Sequence, residues 1–411
     1  MAVLLLLAAA PAAAAPLSPA RVGGRTFYVD SRTGNDARSG RSPGEAWRSL
    51  ARAARARLRG GDRLLLRRGG SWPTELRLPS TGTGSRAVVV GAYDNGPPPL
   101  IHSGETCVRI TGSFVRLTGM AVRHCTWAGV SIVGSFVRVD HVWVRGAAAG
   151  IEVTPGSRGD EIVHNELIDN NRMSVLTRSP RNDDSGAFGI LLRGKGTLVA
   201  SNRIEGSDAF SYDYGRDGSA VEVYGGRDNT IVRNVAVDDH GFTELGNPQS
   251  TGNTYAYNLF VSNRARATFL VTRGAQDSLG PVRHTRVYNT TAVLTVKGSK
   301  GVVCYDGCGR DILRLRNDVV VVAGGDALEA DAPFDEAHDV FSGGVAGVRL
   351  GPGSIVADPR FRNQRRGNFR LLPSSPAVDR GVPLGFLRDL VGTRVPRAAP
   401  DAGCYELRHA R

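Results

Sequence analysis

Lysine is nearly missing from this chain. Of 411 residues only Lys195, Lys297 and Lys300 are lysine, although Lys and Arg together number 52. No run of basic residues interleaved with aromatics occurs, so the sequence predicts no nucleic-acid partner. Helix-forming sequence is scarce, which points away from long helices. After residue 15 no apolar run is long enough to cross a bilayer, so no membrane span is expected. Cysteine is limited to 5 residues. The CYDGC pair, Cys304 and Cys308, has no second Cys/His pair at zinc spacing, so zinc is not expected. Glycine is plentiful, with 52 residues, and it punctuates many short Val/Ile runs, the pattern of strands and turns. At 41% hydrophobic and 22% charged, the chain can bury a large core. Basic residues outnumber the 39 acidic ones, and the net charge of +13 suits an acidic partner or substrate.

Residues 1–15 read MAVLLLLAAAPAAAA, an apolar stretch too short for a membrane span that ends in small residues, as an export signal does. A signal peptide over 1–20 is expected, and with it a secreted protein, extracellular or periplasmic. Such a compartment permits disulfides. Cys304 and Cys308 suit a local bridge around a glycine turn, Cys107 and Cys125 form a second candidate pair, and Cys404 is left as a buried thiol.

Short apolar strands begin at Val108, Val130, Ile151, Ile190 and Val221, spaced by 22, 21, 39 and 31 residues. In step with them, Gly119, His141, Asn165, Asn202, Asn234, Asn258 and Asn289 recur at a turn. Strands with an Asn-bearing turn in each unit describe the coil of a parallel β-helix, in which stacked Asn side chains hydrogen-bond along the axis. The predicted class is all-β: a single-stranded right-handed parallel β-helix over 21–374, with 375–411 wrapping its far end. Trp47, Leu50, Ala51, Ala54 and Leu58 recur at helical spacing and predict one amphipathic helix capping the open core.

The segment FYVDSRTGNDARSGRSPGEAWRSL (27–50), followed by GDRLLLRRG, resembles the opening of secreted right-handed parallel β-helix proteins, a group that includes family-nine pectate lyases and chondroitinase B-like lyases. DPRF (358–361), NFRLLPSSPAVDRG (368–381) and PDAGCYE (400–406) are similar to the closing segment of such chains. The resemblance implies a pectin lyase-like fold and an enzyme of carbohydrate metabolism.

Two coils exceed the minimal length, and three oversized segments are predicted to stack as loops at one corner: 171–189, 208–220 and 238–250. They are rich in carboxylates, whose mutual repulsion must be relieved by protonation, Arg pairing or a cation. Asp183, Asp184 and Asp208 are candidate Ca²⁺ ligands. Asp213, Asp217, His240 and Glu244 are candidate acid–base groups, with His240 and Glu244 in HGFTE as a base and its orienting partner. Alternation sends Glu222 and Arg193 outward as further catalytic candidates and exposes Glu152 and Leu191. Tyr212, Tyr214 and Tyr224 are placed to stack on sugar rings, and Lys195 to contact substrate. Loop aspartates also serve simply as turn formers. The expected function is a monomeric polysaccharide lyase acting on a uronate-containing, acidic glycan by β-elimination. The alternatives are a C5-epimerase, a glycoside hydrolase using a carboxylate pair that includes Glu222, and a non-catalytic glycan- or surface-binding solenoid.

Overall fold

The computed structural model describes residues 23–407. The expected signal peptide, 1–20, lies outside the described residues. The described chain divides into an N-terminal unit ending at Glu222 and a C-terminal unit starting at Val223.

Period-two apolar patterning makes the N-terminal unit a stack of parallel ladders. One ladder runs through Thr26–Val29, Arg63–Arg67, Val88–Tyr93, Val115–Thr118, Arg138–Asp140, Glu161–Val163 and Leu198–Ala200. A second joins Leu76–Leu78, Thr106–Ile110, Ala128–Ile132, Ala149–Val153 and Phe188–Leu192. A third joins Leu100–His102, Ala121–Arg123, Trp143–Arg145, Glu166–Ile168 and Arg203–Glu205. Each turn of chain gives one strand to each ladder, which is a β-helical coil. Val108, Val130, Ile151 and Ile190 stand in register, as their spacing predicts, and all are fully buried. Each such side chain stabilises the stack by about 1.5–3 kcal/mol.

The C-terminal unit repeats the plan. Thr230–Val232, Thr254–Ala256, Thr285–Tyr288, Leu313–Arg316 and Asp335–Ala337 form one parallel ladder. Gly241–Gly246, Thr268–Arg273, Lys300–Tyr305 and the second half of Val319–Ala330 form another. Among the described residues no helix is long and apolar enough to cross a membrane.

The asparagine ladder is present, one residue out of the predicted phase for some members. Asn165 N–H donates to Asn202 Oδ1 (2.9 Å), and Asn234 N–H to Asn258 Oδ1 (2.9 Å). Gly119, His141 and Asn289 instead hold the preceding slot, with φ of 71°, 53° and 46°. That slot needs a left-handed backbone, and the amide ladder follows it.

Three expectations change. The helix spans only Leu50–Ala54, capped by the Ser49 hydroxyl, and buries Leu50 and Ala53 rather than Ala51 and Ala54. Trp47 is buried before the helix, where it bridges to Val29, and Leu58 is buried after it in irregular chain. The closing segment runs along the flank of several coils: Val382 N–H meets Asn317 Oδ1, Cys404 N–H meets Thr291 Oγ1, and Val395 packs on Tyr257. Segment 238–250 is built around a core strand rather than being a loop throughout. Gly241–Gly246 pairs with Thr268–Arg273, with Phe242 and Leu245 fully buried. Burial of Phe242 and Leu245 there outweighs the Gly, Asp and Asn-Pro punctuation that suggested a loop.

Both disulfides form, Cys107–Cys125 and Cys304–Cys308. Cys404 is free and buried, and burial pushes its thiol up to about 12.

Candidate functional site

In the N-terminal unit the two long insertions are hairpins. Residues 171–189 contain the antiparallel pair Met173–Val175 and Ser185–Gly186. Residues 208–220 contain Ala209–Ser211 paired with Gly215–Asp217. The hairpins are clamped reciprocally. Asp184 Oδ2 accepts from Ser211 Oγ (2.7 Å) and from the N–H groups of Tyr212 (2.6 Å) and Asp213 (3.2 Å). Asp213 Oδ2 accepts from the N–H groups of Asp183 (2.9 Å) and Asp184 (3.0 Å). Asp183 takes the Thr177 hydroxyl (2.8 Å). Burial alone would raise the Asp184 carboxyl, but the Ser211 hydroxyl and three N–H groups hold it below the usual carboxylate range.

One carboxylate oxygen from each of Asp183, Asp184 and Asp213 lies within 4.8 Å of the others. These are hard oxygen donors of the kind Ca²⁺ takes. Asp208 does not share the group; its carboxylate takes the Arg216 guanidinium at 2.5 Å. N–H and O–H donors from both hairpins reach the three carboxylates, so the cluster ties the hairpins together. Asp217 caps its own turn by accepting from Gly218 N–H (2.8 Å).

The clamp presents aromatic rings to solvent. Phe210, Tyr212 and Tyr214 are 52%, 46% and 49% exposed. Phe210 and Tyr212 meet edge to face at 5.0 Å, and the Arg178 guanidinium lies 5.0 Å over the Tyr212 ring. The second hairpin is thereby braced against the first.

Beneath the hairpins lies the outward face of the sheet. Ser219 N–H donates to Ala187 O, as Phe188 N–H does to Ala148 O. The same offset carried one coil on sets Glu222 beside Leu191. Glu222 is half-buried and accepts from Ser219 Oγ at 2.8 Å. Leu191 and Glu152 face outward as predicted but are buried, at 5% exposure each. Trp127 covers them: it packs on the Leu191 cluster, and its Nε1 donates to Glu152 Oε2 (3.1 Å). Glu152 also accepts from Ser131 Oγ (3.0 Å) and lies 3.4 Å from Arg193 Nη1. Two coils separate Glu152 from Glu222, about 10 Å, with Leu191 between. Glu152 is therefore an anchor for Arg193. Lys195 is exposed in the turn after this strand, where its backbone pairs with Ser157 and Gly159.

In the C-terminal unit Tyr224 is 42% exposed, and one edge of its ring lies next to Gly246, where a Cβ would come within 3.4 Å of it. His240 directly precedes the strand that carries Glu244. Three residues of extended chain, about 10 Å, separate Gly241 from Glu244, so His240 and Glu244 do not form a base and its orienting partner. Glu244 instead pairs with the Arg273 guanidinium.

Sequence reasoning passed over one constellation. Lys300 Nζ and Tyr305 OH both donate to Glu329 Oε2, at 2.8 and 3.0 Å, and Glu329 is buried. The bond to Glu329 raises the Lys300 ammonium, and burial with that same carboxylate raises the Tyr305 phenol. The alternation of Val302 and Cys304 inward with Tyr305 outward was the available signal. Glu244 stands three coils from Glu329, with Val271 and Val303 between, about 14 Å. That is too long for a glycosidase carboxylate pair, which spans roughly 5–9.5 Å.

No protein-family model matches the sequence, and no curated protein matches it. Solved structures do. The complex of XylC with xylose is 8% identical, with 93% of this chain and 98% of that chain covered and a TM-score of 0.63. Pectate lyase Pel9A is 15% identical, with 94% and 97% covered and a TM-score of 0.60. An alginate lyase from Paenibacillus sp. str. FPU-7 is 10% identical, with 80% and 97% covered and a TM-score of 0.52. At these identities the likeness speaks for architecture: the chain has the right-handed parallel β-helix fold.

Proposed function

We propose that the protein is an exported, carbohydrate-active enzyme, a polysaccharide lyase that cleaves a uronate-containing glycan by β-elimination. The observation that carries this reading is the cluster of exposed rings, Phe210, Tyr212 and Tyr214, on a clamped hairpin beside Glu222 and Arg193. Exposed aromatics held in a fixed array offer flat apolar faces to sugar rings. Arg193, held at one edge by Glu152, turns a guanidinium toward a uronate carboxylate. Neutralising that carboxylate acidifies the neighbouring C5 proton, and Glu222 is the acceptor for it. The C5–H electron pair becomes the C4=C5 double bond, the C4–O bond breaks, and the leaving oxygen takes a proton. Ca²⁺ at Asp183, Asp184 and Asp213 would add charge neutralisation for an acidic chain. The likeness to lyase structures agrees with this reading. The net charge of +13 agrees as well.

The test is incubation with a panel of acidic and neutral glycans, with and without a chelator, reading ultraviolet absorbance and new reducing ends together. A lyase raises both, and Glu222→Gln lowers the rate by about a hundredfold or more. Reducing ends without absorbance would make the protein a hydrolase, and neither signal from any glycan would leave a C5-epimerase, which exchanges solvent hydrogen into the sugar, or a binding solenoid, which does not.

A further inference from the structure

The C-terminal unit contains a cavity of about 340 Å³, lined in part by Leu328 of the strand that carries Glu329. It forms where a ladder ends. Strand Asp335–Ala337 pairs with Leu313–Arg316 on one edge and is the last strand of that ladder. Residues 348–352 cross its other edge, tied down by Gly351 N–H to Glu336 Oε2 (2.6 Å) and His338 N–H to Pro352 O (3.0 Å). The missing rung leaves the hollow.

Its lining is unbalanced in charge. Asp335 is neutralised twice, by Arg314 Nε (2.6 Å) and by Arg316. Glu336 is occupied by Gly351 N–H and the Ser354 hydroxyl. Arg310 and Arg349 also line the cavity, and among the described residues neither has an ion-pair or hydrogen-bond partner. Pro333, Phe334 and Pro352 add apolar surface to the same lining. Two guanidinium groups without a protein partner and a ring-and-proline surface in one cavity suit a small ring that carries a carboxylate. The guanidinium groups take the charge in bidentate geometry, and the apolar surface takes the C–H face of the ring. The volume is at the low end of ligand pockets, roughly 300–1,000 Å³, and suits a single pyranose-sized residue.

We propose that this cavity is a saccharide-acid site that takes one hexuronate residue, with its carboxylate on Arg310 and Arg349. The site does not depend on cleavage chemistry in the N-terminal unit. It would hold a glycan chain or its end independently of the hairpins.

The test uses the full chain and hydrogen-exchange mass spectrometry with D-galacturonate, D-galactose and sodium sulfate as probes. Galacturonate is expected to slow exchange in peptides covering 333–337 and 348–352. Arg310→Ala/Arg349→Ala is expected to weaken that protection by about tenfold or more in ligand concentration, and Arg193→Ala to leave it unchanged. Both arginines are exposed, so the double variant is expected to fold, and circular dichroism checks this. The proposal is overturned if galacturonate protects neither peptide, if galactose or sulfate protects them equally, or if the double variant behaves as wild type. Because binding is the readout, a chain that cleaves no glycan can still pass this test.

Discussion

Asp160 sits in a corner slot of the kind that Asn229 and Asn253 fill in other coils, and it is 1% exposed. Its Oδ1 accepts from Val137 N–H (2.9 Å), and its Oδ2 lies 2.5 Å from Ser157 Oγ. Ser157 Oγ also lies against Gly134 O. A hydroxyl has one proton. When Ser157 donates it to Gly134, Asp160 must itself donate to Ser157, so the network is complete only with Asp160 protonated. Burial raises this carboxyl to about 6, against the opposing bonds from Ser157 and Val137. Because the folded value lies above the unfolded one, the folded state binds the extra proton. Stability is therefore highest below about pH 4 for this group and falls as pH rises through about 6. A folded value of about 6 against an ordinary carboxyl of about 4 corresponds to a loss of about 3 kcal/mol at neutral pH. Asp160→Asn keeps every bond, with Nδ2 donating to Ser157 and Oδ1 accepting from Val137, and cannot ionise. Urea unfolding followed by circular dichroism should show the variant more stable by about 2–3 kcal/mol at about pH 7, with the gap closing by about pH 4. A variant no more stable than wild type at neutral pH, or a gap independent of pH, would refute the argument.

Glu406 is a second buried carboxyl, raised by burial to about 8 and bonded to Tyr257 OH and Asp401 N–H. The same sign applies: Glu406→Gln should hold the closing segment better above about pH 8 and make no difference below about pH 4.5, as read by thermal midpoints across pH. Replacing Cys107 and Cys125 by Ser opens a link between residues 18 apart and should cost about 3 kcal/mol in unfolding free energy. An unchanged urea midpoint would show that the coils hold that loop alone. Asp184→Ala removes the acceptor of four donors and should expose residues 171–189 and 208–220 to limited proteolysis while strand signals in circular dichroism persist. Resistance equal to wild type would mean that the clamp is dispensable.

Much of the coil was legible because it is local and periodic. Val108, Val130, Ile151 and Ile190 align by inward alternation alone, and the cysteine spacings led to both bridges. Burial that comes from another coil was not legible. Glu152 and Leu191 face outward as alternation requires, yet Trp127 covers them from a neighbouring turn of chain. The aspartates of the hairpins drew attention as charges, whereas their partners are backbone N–H groups that no residue pattern displays. Phe242 and Leu245 show the converse: turn-forming neighbours masked a strand whose apolar residues were in plain view.

The reciprocal tie between Asp184 and Asp213 has an evolutionary consequence. Neither hairpin can change length or shape without disturbing the acceptor that its neighbour depends on. Variation in what this surface grips is therefore expected to arrive as a paired replacement of both excursions. The coils beneath, whose ladders do not use these two carboxylates, are free to stay as they are.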